Sequence, residues 1–166
     1  VEKATATITE TVKLSPSAFN SQTSRVLILA GAEHKKLWQE IIATDLKAEM
    51  DRQGVPESAW EGTKAKLDSF AAAGLTALCF EDTDVVKGLQ EQFPLYAHNF
   101  PVWAEHTSAM HQYAIWNALA ALNIGANLQH YNGVIDEKVA QTRNNDSNWK
   151  LIAQMVFGGI AAPAGE

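Results

Sequence analysis

Apolar residues near the start of the chain recur at intervals of four and define a helix. Ala4, Ile8 and Val12 share one face of residues 2–14, and most of the other positions are polar. The pattern stops before Pro16, because the residue that precedes a proline is pushed out of helical geometry. We therefore predict a helix over residues 2–14 that packs one face on a core.

Further segments carry helical signals of the same kind. Leu37, Trp38 and Ile41 fall on one face of a periodic segment, and the next segment opens at Pro56, a residue favoured in the first turn of a helix. The predicted helices of this group are 33–50, 56–74, 84–92 and 135–141.

Short apolar runs rich in branched residues predict buried strands. They lie at residues 26–30, 75–80 and 150–157. We predict loops at 94–101 and 144–148, and we interpret residues 125–132 as the glycine-marked end of a helix followed by a polar loop. Because two or three strands are separated by long helices, without regular alternation, we predict an α+β fold.

A different pattern marks residues 102–123. From Tyr113 onward this segment leaves almost no polar face, which is typical of a buried helix, and its alanines permit another helix to approach closely. We predict a central helix or a helix at a dimer interface, with the alanines at positions 114, 118, 120 and 121.

Composition narrows the class of protein. The chain has 166 residues, which fits one domain over 1–166, and 46% of them are apolar. With 13 basic and 19 acidic residues the formal net charge is −6, and no Lys/Arg run occurs. Nucleic acid is therefore not an expected partner.

The lone Cys79 lies in an apolar run, which indicates a buried thiol in a reducing compartment. The chain has no leader-like start and no apolar run long enough for a membrane span, so we expect a cytoplasmic protein that does not bind membranes. Because it starts at Val1 rather than at methionine, we also expect a fragment or a trimmed chain.

The usual catalytic and metal-binding patterns are missing. His106 and His111 are five residues apart and so face different sides of a helix, which disfavours a metal site. No nucleophile elbow occurs, Cys79 lies within a predicted strand, and neither glycine-rich phosphate motif is present. We therefore predict no catalytic side chain and no metal ligand.

Three polar or motif-like segments remain, and each has an ordinary structural interpretation. Residues 15–22 resemble a capped loop, residues 125–132 a helix end, and residues 149–158 a core strand. Together with two shorter motifs, however, they occur in a specific order: SPSAFNSQ at 15–22, EHKKLW at 33–38, FED at 80–82, LQHYN at 128–132 and AQMVFG at 153–158.

This order of motifs closely resembles the nitroreductase family, in its small bacterial and fungal branch with fatty-acid-repression-type and copper-induced members. The resemblance covers nearly the whole chain. It implies a mainly antiparallel sheet flanked by helices, with the long helix at the interface of a homodimer. It also implies one FMN in each of two clefts that both subunits build.

The resemblance assigns cofactor-binding roles to two segments. The residues that match the flavin loop are Pro16, Ser17, Ala18, Asn20 and Gln22. Those that match the segment beside the reactive N5 edge of the flavin are Leu128, Gln129 and His130. The implied reaction is a ping-pong, two-electron reduction of nitroaromatics or quinones by NADH or NADPH. Because the flavin performs the hydride chemistry, no catalytic triad is needed.

The chain also departs from the family pattern. Gly133 replaces a common proline, Leu75 a frequent glycine and Val156 the usual proline of AQMPFG. The family's basic N-terminal segment, whose arginines and serine hold the FMN phosphate, and its C-terminal segment have no counterpart among residues 1–166. A non-catalytic or weakly flavin-binding regulatory or stress-response protein with the same fold is the alternative function.

Overall fold

The computed structural model describes residues 1–163 and has an α+β architecture, as predicted. One antiparallel sheet has the strand order β1-β2-β4-β3. Its strands are β1 (Ser24–Ala30), β2 (Leu75–Asp82), β3 (Ile124–Gln129) and β4 (Trp149–Gly159). The helices are α1 (Glu2–Leu14), α2 (Gly31–Lys36), α3 (Ala43–Arg52), α4 (Glu57–Ala71), α5 (Thr83–Gln92), α6 (Phe100–Ala121) and α7 (Asp136–Arg143).

The sheet confirms the three predicted strands and adds a fourth. β3 (Ile124–Gln129) was expected to be a helix end and a loop, and this interpretation was wrong. Asn123 adopts a left-handed φ of 58° and so turns the chain out of α6 directly into the strand. β3 is an edge strand without a fully buried residue, so its sequence lacks the apolar run that marks the other strands.

Two differences concern the helices. The predicted helix 33–50 is continuous but contains a π-helical stretch, Leu37–Ile42, between α2 and α3. The predicted loop 94–101 was wrong: Pro94–Asn99 form a 3-10 helix and α6 begins at Phe100. Both prolines of this segment lie in the first turn of a helix, where the missing N–H costs no hydrogen bond.

Apolar side chains form a core on each face of the sheet. Helices α2 to α4 and α7 cover one face, where Trp38, Leu67 and Phe80 are almost fully buried. Helices α1 and α6 cover the other face, where Ile8 and Ile115 pack on the sheet. Leu128, from one of the segments predicted to bind FMN, packs against this second core.

Helix α6 is not buried all round within the chain, so it is not a fully enclosed central helix, and its predicted place at a dimer interface stays a prediction. Ile115 and Leu119 face the core, but Tyr113 is 71% exposed and Trp116 is 39% exposed. The sequence pattern cannot distinguish an apolar face that packs within the chain from one that stays open. The chain therefore presents an uncovered apolar face along its longest helix.

Within residues 1–163, none of the helices is both long enough and apolar enough to cross a lipid bilayer.

Cys79 is buried in β2, as predicted, and burial raises the pKa of its thiol to about 12. The thiolate, which is the reactive form of cysteine, is therefore disfavoured at this position.

Candidate functional site

The loop between α1 and β1 has an unusual backbone. Phe19, Asn20 and Gln22 all adopt left-handed conformations, with φ of 57°, 51° and 50°. Such conformations are uncommon for residues other than glycine and cost about 1–3 kcal/mol each. The loop is closed internally by the amide of Gln22, which donates a hydrogen bond of 3.0 Å to Ser17 Oγ. Its geometry is thus specific and strained.

An aromatic cluster holds the middle of this loop against the start of α6. The ring of Phe19 stacks on Trp103 with a centroid distance of 5.5 Å. It also lies within 5.2 to 6.0 Å of the rings of Phe93, Tyr96 and Phe100. Each aromatic pair contributes about 0.5–1.5 kcal/mol beyond its buried area, so the cluster offsets the backbone strain.

The predicted flavin-loop residues divide into two groups by exposure. Pro16, Asn20 and Gln22 are exposed, whereas Ser17 and Ala18 are half-buried. The Ala18 amide donates to Thr107 Oγ1 of α6 over 3.4 Å, which ties the loop to the helix. The side-chain amides of Asn20 and Gln22 form no hydrogen bond with any residue that the structure describes, so their donors and acceptors are free. This arrangement fits the polar edge of a flavin.

A cavity of about 210 Å³ lies behind the loop. Its lining is mixed and includes the polar side chains of Lys13, Ser17, Arg25 and His111. Both ring nitrogens of His111 are buried, and neither has a hydrogen-bond partner within residues 1–163. Burial lowers the pKa of His111, and the nearby backbone of Ser15 and Pro16 opposes this effect only in part.

Arg25 does not serve this cavity as a free cation. Its guanidinium forms an ion pair of 2.9 Å with Asp82 and donates to the carbonyl of Gln22 over 2.8 Å. The guanidinium is thus already paired with a carboxylate and a carbonyl of the chain. Arg25 thereby anchors the end of the flavin loop to the first strand.

The second predicted segment, 128–130, comprises the last two residues of β3 and the residue that follows the strand. Leu128 and Gln129 are half-buried in the strand, and His130 is exposed just beyond it. His130 lines a cavity of about 550 Å³ between α6 and β4, together with Glu105, Gln112 and Lys150. The imidazole thus faces a space that solvent and small molecules can enter.

Gln154 fixes the chain that follows His130. This fully buried side chain accepts a hydrogen bond of 2.7 Å from the Tyr131 amide and donates one of 2.8 Å to Asn132 Oδ1. Asn132 in turn donates to the carbonyl of Leu151 over 2.8 Å. The LQHYN and AQMVFG motifs are therefore connected through one buried amide. Sequence reasoning missed this role of Gln154, because its partners are more than twenty residues away.

The motif EHKKLW has a structural explanation. His34 Nδ1 lies 2.9 Å from Thr76 Oγ1, and the indole N–H of Trp38 donates to the same hydroxyl over 2.8 Å. His34 Nε2 lies 3.1 Å from the carbonyl of Ala71. All three side chains are fully buried. His34 is thus a core histidine whose two ring nitrogens both have hydrogen-bond partners.

The two predicted flavin segments do not meet within one chain. The loop 15–22 leads into β1, and His130 follows β3, so they lie at opposite edges of the sheet. Three inter-strand spacings of about 4.8 Å separate these edges by roughly 14 Å. Both segments lie near the end of the sheet where β1 starts and β3 ends. The two segments therefore lie at the same end of the sheet but at its opposite edges.

The four-stranded antiparallel sheet with helices on both faces has the architecture of the nitroreductase fold. Residues 2–159 match the nitroreductase family. The chain therefore belongs to this family, which places it among oxidoreductases. It is 40% identical over 155 residues to HBN1 of Saccharomyces cerevisiae, a match that spans 93% of this chain and 73% of HBN1.

Solved structures agree with this assignment. The nitroreductase CinD from Lactococcus lactis, in complex with chloramphenicol, is 55% identical with a TM-score of 0.90 over 99% of this chain and 81% of its own. The FMN-dependent nitroreductase NfnB from Mycobacterium smegmatis, in complex with NADPH, is 15% identical with a TM-score of 0.72 over 97% of this chain and 79% of its own, so it shares the fold.

Proposed function

We propose that this protein is an FMN-dependent NAD(P)H oxidoreductase that reduces nitroaromatics or quinones by a two-electron, ping-pong mechanism in the cytoplasm. The observation that carries this proposal is the strained loop 15–22, which presents the unpaired side-chain amides of Asn20 and Gln22. A bound flavin supplies the hydride chemistry, from the nicotinamide to the acceptor. The protein's own residues bind and orient it.

Roles for the site residues follow from their positions. Asn20 and Gln22 would form hydrogen bonds to polar atoms of the flavin, and Pro16 and Ala18 would pack against its apolar part. The backbone of Leu128, Gln129 and His130 would border the reactive edge of the ring. Gln154 holds the chain directly after His130, and so it would keep that edge in register without touching the cofactor.

The choice of acceptor is supported by a relative. CinD, which shares more than half of its aligned residues with this chain, has been crystallised with chloramphenicol and with 4-nitrophenol. The second compound is a nitroaromatic. We propose the same class of substrate here, together with quinones, which also accept two electrons and are flat enough to lie on a flavin.

We also propose a homodimer, in which each cleft combines the loop 15–22 of one subunit with the segment 128–130 of the other. The separation of these two segments within one chain supports this arrangement. The open apolar face of α6, which carries Tyr113 and Trp116, supports it independently. Burial of such a face by a second copy removes apolar surface from water.

The test begins with the visible spectrum and an FMN titration of the purified protein, followed by initial rates with NADH or NADPH and 4-nitrophenol or benzoquinone. Parallel double-reciprocal lines at several donor concentrations are expected for a ping-pong mechanism. Protein that takes up no FMN at micromolar concentration would rule out the enzyme. FMN binding without NAD(P)H oxidation would instead indicate the non-catalytic, regulatory alternative.

A further inference from the structure

We infer that Phe19 is a positioning residue for the flavin: its ring, held by the aromatic cluster, keeps the loop 15–22 in its binding-competent conformation. This inference rests on the proposed function. The side chain of Phe19 lies between two predicted flavin contacts, Ala18 and Asn20, and is not itself one of the predicted contacts.

The conformation of Phe19 requires an explanation. A bulky residue with a φ of 57° is an outlier, because its Cβ approaches neighbouring backbone atoms that a glycine would not meet. Two more residues of the same loop, Asn20 and Gln22, share the left-handed geometry although glycine occupies neither position. Left to its local preferences, this segment would populate extended conformations instead. Contacts elsewhere must therefore select the observed one.

The aromatic cluster is the contact that selects it. Phe19 is half exposed, yet its ring meets four other rings, and the planes of Phe19 and Trp103 differ by only 17°. These partners come from the end of α5, the 3-10 helix and the first turn of α6, which form a framework independent of the loop. The contacts of the Phe19 ring thus fix the backbone of the loop relative to α6.

The two neighbours of Phe19 explain how this affects the cofactor. The side chain of Asn20 is exposed at the backbone turn of positions 19 and 20, and the hydrogen bond from the Gln22 amide to Ser17 Oγ closes the loop. If the ring of Phe19 is lost, we expect the turn to relax and the side-chain amides of Asn20 and Gln22 to change direction. A protein whose binding-competent state is populated at one tenth binds its ligand about tenfold more weakly.

Four variants test the inference by FMN titration, with flavin fluorescence as the readout. Phe19→Ala and Phe19→Leu are expected to weaken FMN binding by about tenfold or more, because neither can stack. Phe19→Tyr keeps the ring and is expected to bind within about twofold of wild type. Leu95→Ala is the matched control, since Leu95 is a 78% exposed apolar residue in the adjacent 3-10 helix.

Amide hydrogen exchange of Gln22 in the flavin-free protein provides a second readout. Faster exchange in Phe19→Leu, with wild-type exchange in Phe19→Tyr and Leu95→Ala, is expected, because the bond from this amide to Ser17 depends on the loop conformation. If Phe19→Ala does not fold, Phe19→Leu still tests the inference, because leucine retains an apolar side chain without a ring.

The outcomes separate this inference from the proposed function. Wild-type protein that fails to bind FMN would overturn both. Wild-type FMN affinity in Phe19→Leu, or equally weak binding in Phe19→Tyr and Phe19→Leu, would overturn the role of the ring alone. Weak binding that only the tyrosine variant restores supports the inference.

Discussion

The ring of Phe19 stacks on the ring of Trp103, with centroids 5.5 Å apart and planes inclined by 17°. This contact joins the flavin loop to the first turn of α6, and α6 also passes the cavity that contains His130. The same helix therefore contacts the loop 15–22 and lines the cavity beside His130, so it positions both predicted halves of the site. A change in the position of α6 would move both halves together.

Replacement of Gln154 by leucine is expected to destabilise the protein and to disturb the segment after His130. The Tyr131 amide and the side-chain Oδ1 of Asn132, which are both partly buried, would each lose a hydrogen bond. A buried polar group without a partner costs about 1–3 kcal/mol. Thermal unfolding of the flavin-free protein measures this cost, and an FMN titration measures the effect on the site.

The control for Gln154→Leu is Gln141→Leu, at an exposed glutamine of α7 that bonds only to Glu137. It is expected to leave stability within about 0.5 kcal/mol of wild type. If Gln154→Leu were as stable as this control and bound FMN normally, the hydrogen bonds of Gln154 would have no role in positioning the segment.

Replacement of Thr76 by valine is expected to lower stability without changing FMN affinity. Valine preserves the shape of the side chain but removes the hydroxyl that Trp38 and His34 share. Two buried groups lose a partner, which gives about 2–4 kcal/mol of destabilisation. Thr63→Val is the control, because Thr63 is a half-buried threonine of α4 whose hydroxyl donates only to the carbonyl of Ala59. Weaker FMN binding in folded Thr76→Val would contradict the structural role of the EHKKLW motif.

Stability is expected to fall as the pH drops below the ordinary histidine pKa of 6.5. Burial lowers the pKa of His34 and of His111 in the folded protein, so the unfolded chain binds more protons in this range. The free energy of unfolding therefore rises with pH until the histidines of the unfolded chain are neutral. The contribution of these two histidines to stability is lost as the pH falls from about 6.5 towards their pKa values in the folded protein.

Urea unfolding between pH 8 and pH 5 tests this dependence, with His111→Asn as the informative variant. Because His111 has no hydrogen-bond partner among residues 1–163, its replacement is expected to reduce the pH dependence while wild-type stability is retained at pH 8. An unchanged slope in this variant would show that His111 already meets water when the protein is folded.

Local patterns were sufficient for the regular elements of the core. The first helix has the predicted bounds, and the three strands with apolar runs occur where they were expected. β3 was not predicted, because the sequence of an edge strand with polar residues such as Asn127 and Gln129 resembles that of a loop. The start of α6 was not predicted either, because the prolines of the predicted loop 94–101 open helices.

The site was less predictable because its geometry depends on partners distant in sequence. The residues of the flavin loop were identified only through their resemblance to a family. Nothing local indicates that a phenylalanine adopts a left-handed conformation, since the rings that hold it follow more than seventy positions later. Likewise, Gln154 lies in a pattern typical of an apolar strand, and its polar role appears only when β4 is placed beside residues 131–132.

Gly158→Ala is expected to destabilise the sheet. A Cβ at this position would lie 2.1 Å from the carbonyl oxygen of Ala73, so β4 and the end of α4 would have to move apart. Strain of this kind costs about 1–3 kcal/mol. Gly159→Ala is the matched control, because a Cβ there meets no atom within 4 Å. Equal melting temperatures of the two variants would contradict the close contact.

The last prediction concerns the open face of α6. Val102, Met110, Tyr113 and Trp116 recur at near-helical spacing and are each at least 39% exposed, although α6 is the longest helix of the chain. Tyr113→Glu introduces a charge at the most exposed of them and is expected to give a folded monomer, as measured by light scattering. Burial of an unpaired carboxylate in an interface opposes association strongly.

The same variant tests whether the cleft is shared. Because the loop 15–22 precedes β1 and His130 follows β3, at opposite edges of the sheet, we expect a monomer to offer only half of each proposed site and to lose FMN binding with the dimer. Ser58→Glu, at an exposed position in the first turn of α4, is expected to change neither property. A Tyr113→Glu monomer with wild-type FMN affinity would mean that one chain holds the flavin by itself, and a persistent dimer would mean that the subunits meet elsewhere.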